Sequence, residues 1–258
     1  MTSSAEEKWL SGDAYDAHRA EDFARFCDAA QMDLTAHVPT CPEWDVTALC
    51  DHLARVYQGR GLVVTTGAFP DRADFELRPE GDDPIAWVRH WSDELDRALH
   101  GRPDEAQTVT FMPGSTAMHF WRRRMALETL VHRTDAEISV GVVGSMDDSL
   151  SADGVAELLW FVTHPEEDHA DGIPGISVVE LTDGTRSWAV SLSDGAVGAP
   201  APGAPADAVV RGSAPALLLA LSGRDLEGLG AARFGVAPLG VEGDPAAFQR
   251  LLARLGGF

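Results

Sequence analysis

The chain has 258 residues, 45% of them hydrophobic, which is enough for one large domain or two modest ones with a buried core. Forty-one acidic residues against 20 basic give a formal net charge of -21, which repels phosphate backbones and anionic lipid heads. Nucleic acid and membrane surfaces are therefore not expected as partners. The three cysteines, Cys27, Cys41 and Cys50, form no Cys-x-x-Cys pair, so a reducing compartment is expected in place of a disulfide framework. The polar, acidic start MTSSAEEKWLSGDAYDAHRAED lacks the basic head and apolar run of a secretory signal. No stretch approaches 18 uninterrupted apolar residues. A cytoplasmic location is the expectation.

Five helices are predicted in the first 165 residues. The first covers about 12–36. The second follows the turn VPTCPEW, is capped by Asp45 and covers roughly 46–59. The third covers about 83–99 and stops before Gly101-Arg102-Pro103. The fourth covers about 117–138 and the fifth about 150–163. Long helices with short or medium connections suggest an antiparallel bundle. The texture then changes near residue 165, where glycine and proline become dense. Ile176 to Leu181 and Ser187 to Leu192 read as strands around the hairpin signal Asp183-Gly184. Ala208 to Arg211 reads as a further strand. Ser213 reads as the cap of a helix ending at Gly223, and Pro245 to Leu255 as the last helix. The expected fold class is α+β: residues 1–165 a helical bundle of four helices plus an extra one, residues 166–258 a small α/β domain.

An acid four residues before a histidine occurs three times: Asp33/His37, Asp96/His100 and Glu128/His132. His37 and His100 stand where helices are expected to end, and a histidine there interacts with the negative end of the helix dipole. Glu128/His132 is mid-helix. At 100° per residue, Trp121, Met125, Glu128, His132 and Asp135 fall on one stripe, flanked by Phe120, Leu127 and Val131. Arg122, Arg123 and Arg133 lie well away from it. This helix alone reads as a buried Glu–His hydrogen bond, because buried charge is costly unless paired.

His52 changes that reading. It joins Leu49, Leu53 and Val56 in the inward stripe of the second helix. Two imidazoles and a carboxylate on two helices of one bundle fit a divalent metal site of His52, Glu128 and His132. Three protein ligands leave open positions, which is the catalytic arrangement for zinc, although nickel, iron and manganese accept the same donors. Asp51 and Asp135 are candidate partners behind the histidines. The run HPEEDH at His164–His169 reads as a solvated linker, and Cys41 as a structural residue of its turn.

The segments VPTCPEWDVTALCDHLARV and ALETLVHRTDAEISVG resemble the mycothiol-dependent maleylpyruvate isomerase family of actinobacteria, a branch of the DinB-like bundles. VRGSAPALLLALSGR is similar to that family's C-terminal, sterol-carrier-like domain. Thr134 departs from the pattern, since many members carry Trp at that place. The resemblance implies a DinB-like bundle whose metal ligands fall on His52, Glu128 and His132. It implies mycothiol as cofactor; the family's contact residues are not recognisable in this sequence, and Arg211 and Arg224 of the C-terminal segment are the candidates for its polar groups. It also implies an enzyme in which a metal-activated thiolate adds to an electrophilic small molecule, ending in cis-trans isomerisation or in thiol transfer as a mycothiol S-transferase. The chain is expected to act as a monomer or homodimer, and a metal- or ligand-binding module without turnover is the reading from a different class.

Overall fold

The computed structural model describes residues 10–112, 115–163, 177–193 and 196–255. Its elements form two compact units, residues 1–110 with 115–142, and residues 111–114 with 143–258. A helical first unit and a second unit of helices and strands make the chain α+β, as expected.

The first unit holds four helices: α1 (Gly12–Met32), α2 (Val46–Thr66), α3 (Pro84–Leu99) and α4 (Met118–Ser139). Ser11, Asp45 and Asp83 cap the first three through side-chain oxygens that accept from a backbone N–H of the first turn. α1 ends four residues earlier than expected, because Asp33 leaves helical geometry and accepts from the N–H and hydroxyl of Thr35. α2 runs past its expected end at residue 59. Gly59 permits close approach there: a Cβ would stand 3.1 Å from the Phe75 ring. The helix stops at Gly67, whose φ of +72° suits the left-handed cap.

Side-chain pairs fix the helix directions. Asp16 meets Arg122, Asp22 meets Arg133 and Arg25 meets Glu137, so α1 and α4 run parallel. Cys50 lies near Asp83 and Gly61 beside Leu95, so α2 and α3 also run parallel. Arg19 of α1 reaches Ser92 and Asp96 of α3, while Cys27 lies near Arg89, so those two helices oppose. The antiparallel bundle therefore has up-down-down-up order. The connection Gly67–Asp83 must travel back along α2, about 30 Å for a helix of that length.

α4 is buried on nearly every side. Arg122, Arg123 and Arg133, which lie off the Glu128/His132 stripe, are buried as well. Their face is an ionic seam rather than a solvated one: Arg133 donates to Asp22 (3.0 Å) and Glu137 (2.7 Å), and Arg25 donates to Glu137.

The second unit holds α5 (Asp148–Thr163), α6 (Ala214–Leu221), α7 (Pro245–Leu255) and a mixed sheet. The strands are β1 (Ser177–Thr182), β2 (Ser187–Ser193), β3 (Ala196–Gly198), β4 (Ala208–Arg211) and β5 (Gly240–Gly243), in the order β3-β2-β1-β4-β5. β1 and β4 are parallel and the other pairs antiparallel. The fifth helix, expected with the bundle, instead packs on α6. The expected boundary at 165/166, the start of the first strand at Ile176 and the HPEEDH run fall outside the described residues. Asp183 closes the β1–β2 hairpin by accepting from the N–H groups of Thr185 and Arg186. Two strands were not anticipated, β3 and β5, both short and at the sheet edges.

Candidate metal centre

The 21-residue α2 and the 22-residue α4 run antiparallel, with Tyr57 hydrogen-bonded to Thr129 across them at 2.7 Å. On this framework His52 faces Glu128 and His132. One ligand atom from each of the three residues lies within 4.8 Å of the others. Glu128 Oε1 is 3.3 Å from His132 Nε2 and 3.8 Å from His52 Nε2. The two imidazole centroids are 4.8 Å apart with the rings at 73°. Among the described residues no other group of His, Cys, Asp and Glu converges in this way. Side-chain exposure falls from 33% at His52 through 20% at Glu128 to 10% at His132, so the cluster is approached from the His52 side.

The donor set fits a dication. Ligand atoms about 2 Å from one ion stand at most about 4 Å apart, so closing on an ion requires shifts below about 1 Å. His132 Nδ1 meets Asp135 Oδ2 at 3.0 Å, and that carboxylate is fully buried. A carboxylate only accepts, so Nδ1 carries a proton. The other ring nitrogen, Nε2, faces Glu128 Oε1. At 3.3 Å the two atoms share either a proton, which makes the ring an imidazolium, or a cation in its place.

Electrostatics keep Glu128 ionised. Burial alone would raise its pKa, but Arg124, which donates to Oε2 at 2.6 Å, and hydrogen bonds with His132 and His52 outweigh burial and hold it well below the usual carboxylate range. Burial likewise opposes charge on His132, while Asp135 and Glu128 prevail and raise its pKa.

Of the two aspartates expected behind the histidines, Asp135 stands there and Asp51 does not. Asp51 holds Arg78 through two hydrogen bonds, at 2.7 and 2.9 Å. His100 caps the end of α3 as expected. His37 lies beyond α1, with Nε2 3.1 Å from the carbonyl of Pro42. Three contributors had no role assigned from sequence: Arg124, Trp44 (its ring centroid 4.8 Å from that of His52) and Thr40, which donates to Asp135 Oδ1 at 2.8 Å. The i, i+4 spacing of Arg124 and Glu128 was a legible signal. The loop contacts of Thr40 and Trp44 had none. Arg211 and Arg224 belong to the second unit. Arg211 is exposed and pairs with Glu242 at 3.2 Å. Arg224 is buried, donates to the Ser222 carbonyl and lines a cavity of about 750 Å³ with Leu226, Leu239 and Phe248.

Residues 17–137 match the family model described as the mycothiol maleylpyruvate isomerase N-terminal domain. Comparison with curated protein sequences gives no match. Two solved structures share the fold. A crystal structure of the mycothiol-dependent maleylpyruvate isomerase superposes with a TM-score of 0.56 at 14% identity, covering 84% of this chain and 91% of that one. A His-to-Ala mutant of a mycothiol-dependent maleylpyruvate isomerase superposes with a TM-score of 0.58 at 12% identity, covering 83% and 90%. Over residues 17–137, the stretch that carries His52, Glu128 and His132, the chain is thus similar to the N-terminal domain of the mycothiol maleylpyruvate isomerase family.

Proposed function

We propose that this chain is a metal-dependent enzyme that uses mycothiol on an electrophilic small molecule, in the manner of a maleylpyruvate isomerase. The observation that carries this reading is the convergence of His52, Glu128 and His132, one ligand atom of each lying within 4.8 Å of the others. His52, Glu128 and His132 would hold the ion, most simply Zn²⁺. When bound, such an ion supplies Lewis acidity that keeps a thiol in its nucleophilic thiolate form at neutral pH. The chain's own part is orientation. Asp135 fixes the His132 ring, Arg124 occupies the outer oxygen of Glu128, and Trp44 packs against His52. The gradient of exposure leaves the His52 side for thiol and substrate to enter.

On a cis-enoyl keto acid, the thiolate forms a C–S bond while the alkene electrons move onto the carbonyl as an enolate. The former double bond, now single, rotates. The enolate then re-forms the alkene as the C–S bond breaks, releasing the trans isomer and the unchanged thiol. A protonated adduct that leaves with its thiol would be the product of an S-transferase. A chain that binds metal and turns nothing over would be a binding module.

Metal content measured by mass spectrometry on tag-free protein tests the reading, beside His52→Ala and His132→Ala. About one ion per chain, lost in both variants, is expected. Incubation with mycothiol and maleylpyruvate should then yield the trans isomer. Protein that takes up no metal even after incubation with zinc would overturn the proposal.

A further inference from the structure

The segment 38–45, whose sequence is VPTCPEWD, has no part in ligation, yet it touches the surroundings of both histidines. It consists of two consecutive turns. Cys41 N–H donates to Val38 O at 3.0 Å, and Trp44 N–H donates to Cys41 O at 2.8 Å. Each turn has proline as its second residue, Pro39 and Pro42, where the fixed φ suits the turn. The ends are tied together. Val38 N–H donates to Trp44 O (3.0 Å), Val46 N–H to Ala36 O (3.0 Å) and Thr47 N–H to Leu34 O (2.9 Å). Val38 and Val46 are fully buried beneath it, and Asp45 caps α2 at Ala48. Two prolines and a closed hydrogen-bond frame leave this loop little conformational freedom, unlike an ordinary surface connection.

Two side chains project from the frame to the site. The Thr40 hydroxyl donates to Asp135 Oδ1, and Asp135 Oδ2 accepts from His132 Nδ1. The Trp44 ring packs on His52 at 4.8 Å between centroids, tilted by 39°. We propose that the double turn 38–45 orients both histidines of the site, with Thr40 a positioning residue for His132 through Asp135 and Trp44 a positioning residue for His52. Without the Thr40 hydroxyl, Asp135 loses a hydrogen-bond partner and is freer to rotate. The His132 ring then loses the fixed acceptor that selects its Nδ1–H tautomer and turns Nε2 toward Glu128. Partners of this kind behind a metal-bound histidine typically change metal affinity by about 10- to 100-fold.

The proposal rests on the metal-site reading, and the test separates the two. The first readout needs no metal: ¹⁵N NMR of the imidazoles in metal-free protein, at an alkaline pH where the rings are neutral. His132 should show the Nδ1–H tautomer in the unmodified chain and in Thr40→Ser, which keeps the hydroxyl. Thr40→Val should shift it toward a mixture of tautomers. The second readout is Co²⁺ affinity by chelator competition, together with the visible spectrum of the bound ion. Thr40→Val and Trp44→Ala should each weaken binding by about tenfold or more and alter the spectrum, while Thr40→Ser stays within about twofold. Failure of the unmodified chain to bind Co²⁺ or Zn²⁺ would sink the metal reading, with the tautomer still reporting on Thr40. An unchanged tautomer and unchanged affinity in Thr40→Val would overturn the role given to Thr40, and an unchanged affinity and spectrum in Trp44→Ala the role given to Trp44.

Discussion

α4 and α6 are both buried helices, and they are built in opposite ways. All eight residues of α6, APALLLAL, are apolar and buried, so the helix is held by area removed from water. α4 is buried while carrying Arg122, Arg123, His132, Arg133, Asp135 and Glu137. One side of it is an ionic seam to α1 and another is the His/Glu cluster facing α2. Buried charge costs free energy unless every partner is in place. The first unit accepts that cost on the helix that carries two of the three site residues. The second unit shows that this sequence can also make a buried helix with no such cost. The polar α4 is therefore understood through its position: it must present imidazole and carboxylate inward, and the seam behind it fixes its depth and rotation.

Removing one partner from the seam gives the sharpest contrast and the largest expected effect. Arg133→Met leaves Asp22 and Glu137 buried without their main cation. A loss of about 3–5 kcal/mol is expected in urea unfolding. Asp22→Leu added to Arg133→Met should recover part of that loss, because the lone carboxylate is removed with the charge that matched it. In α6, Leu217→Ala removes only packing. The expected cost is about 2–5 kcal/mol, and no second polar substitution should restore it. A double substitution in α4 that recovered nothing would mean that the seam is held by shape rather than by charge balance.

The same two helices show what the sequence made legible. Ser213 as the cap of α6, β4 at Ala208–Arg211 and α7 at Pro245–Leu255 follow directly from local signals of capping, β-branching and periodicity. His52, Glu128 and His132 were readable because each stands on an apolar stripe of a long helix, where a polar residue is conspicuous. α5 was harder. LLWFV is apolar on all sides, and such a helix can bury itself against either unit, so sequence order put it with the bundle. β3 and β5 are three and four residues long, and the exposed GVEG of β5 has no alternation to read. Gly59 and Gly61 resembled a helix end, and only the Phe75 ring beside Gly59 shows why a side chain is missing there. Thr40 and Trp44 depend on a loop conformation that periodicity does not encode.

The buried cysteines test the first unit's interior by pH. Burial pushes the Cys50 thiol up to about 12 and the Cys27 thiol to about 11, from an ordinary 9.0. Both pKa values rise on folding, so the folded chain favours the neutral thiols. Their contribution is fully present below about pH 9 and is lost as pH rises toward 11 and 12. Urea midpoints should fall between about pH 8 and about pH 10, and fall less in Cys27→Ala/Cys50→Ala. In the folded chain at neutral pH, half-buried Cys41 should react with a thiol reagent ahead of the other two.

The smallest effect separates the two aspartates that neighbour the site histidines in sequence. Asp51 precedes His52 by one residue, which on a helix turns it about 100° away, and its carboxylate is engaged by Arg78. Asp135 follows His132 by three residues, which brings it to the same face. Asp51→Asn should leave metal content unchanged. With Asp51 41% exposed, stability should shift by less than about 1 kcal/mol. Asp135→Asn keeps the shape but offers Nδ1 of His132 an amide in place of an anion, so metal should be held more weakly. Equal metal loss in both variants would mean that general negative charge around the cluster, rather than the fixed ring of His132, retains the ion. Loss confined to Asp135→Asn would place the control of the site in α4 and in the loop that braces it.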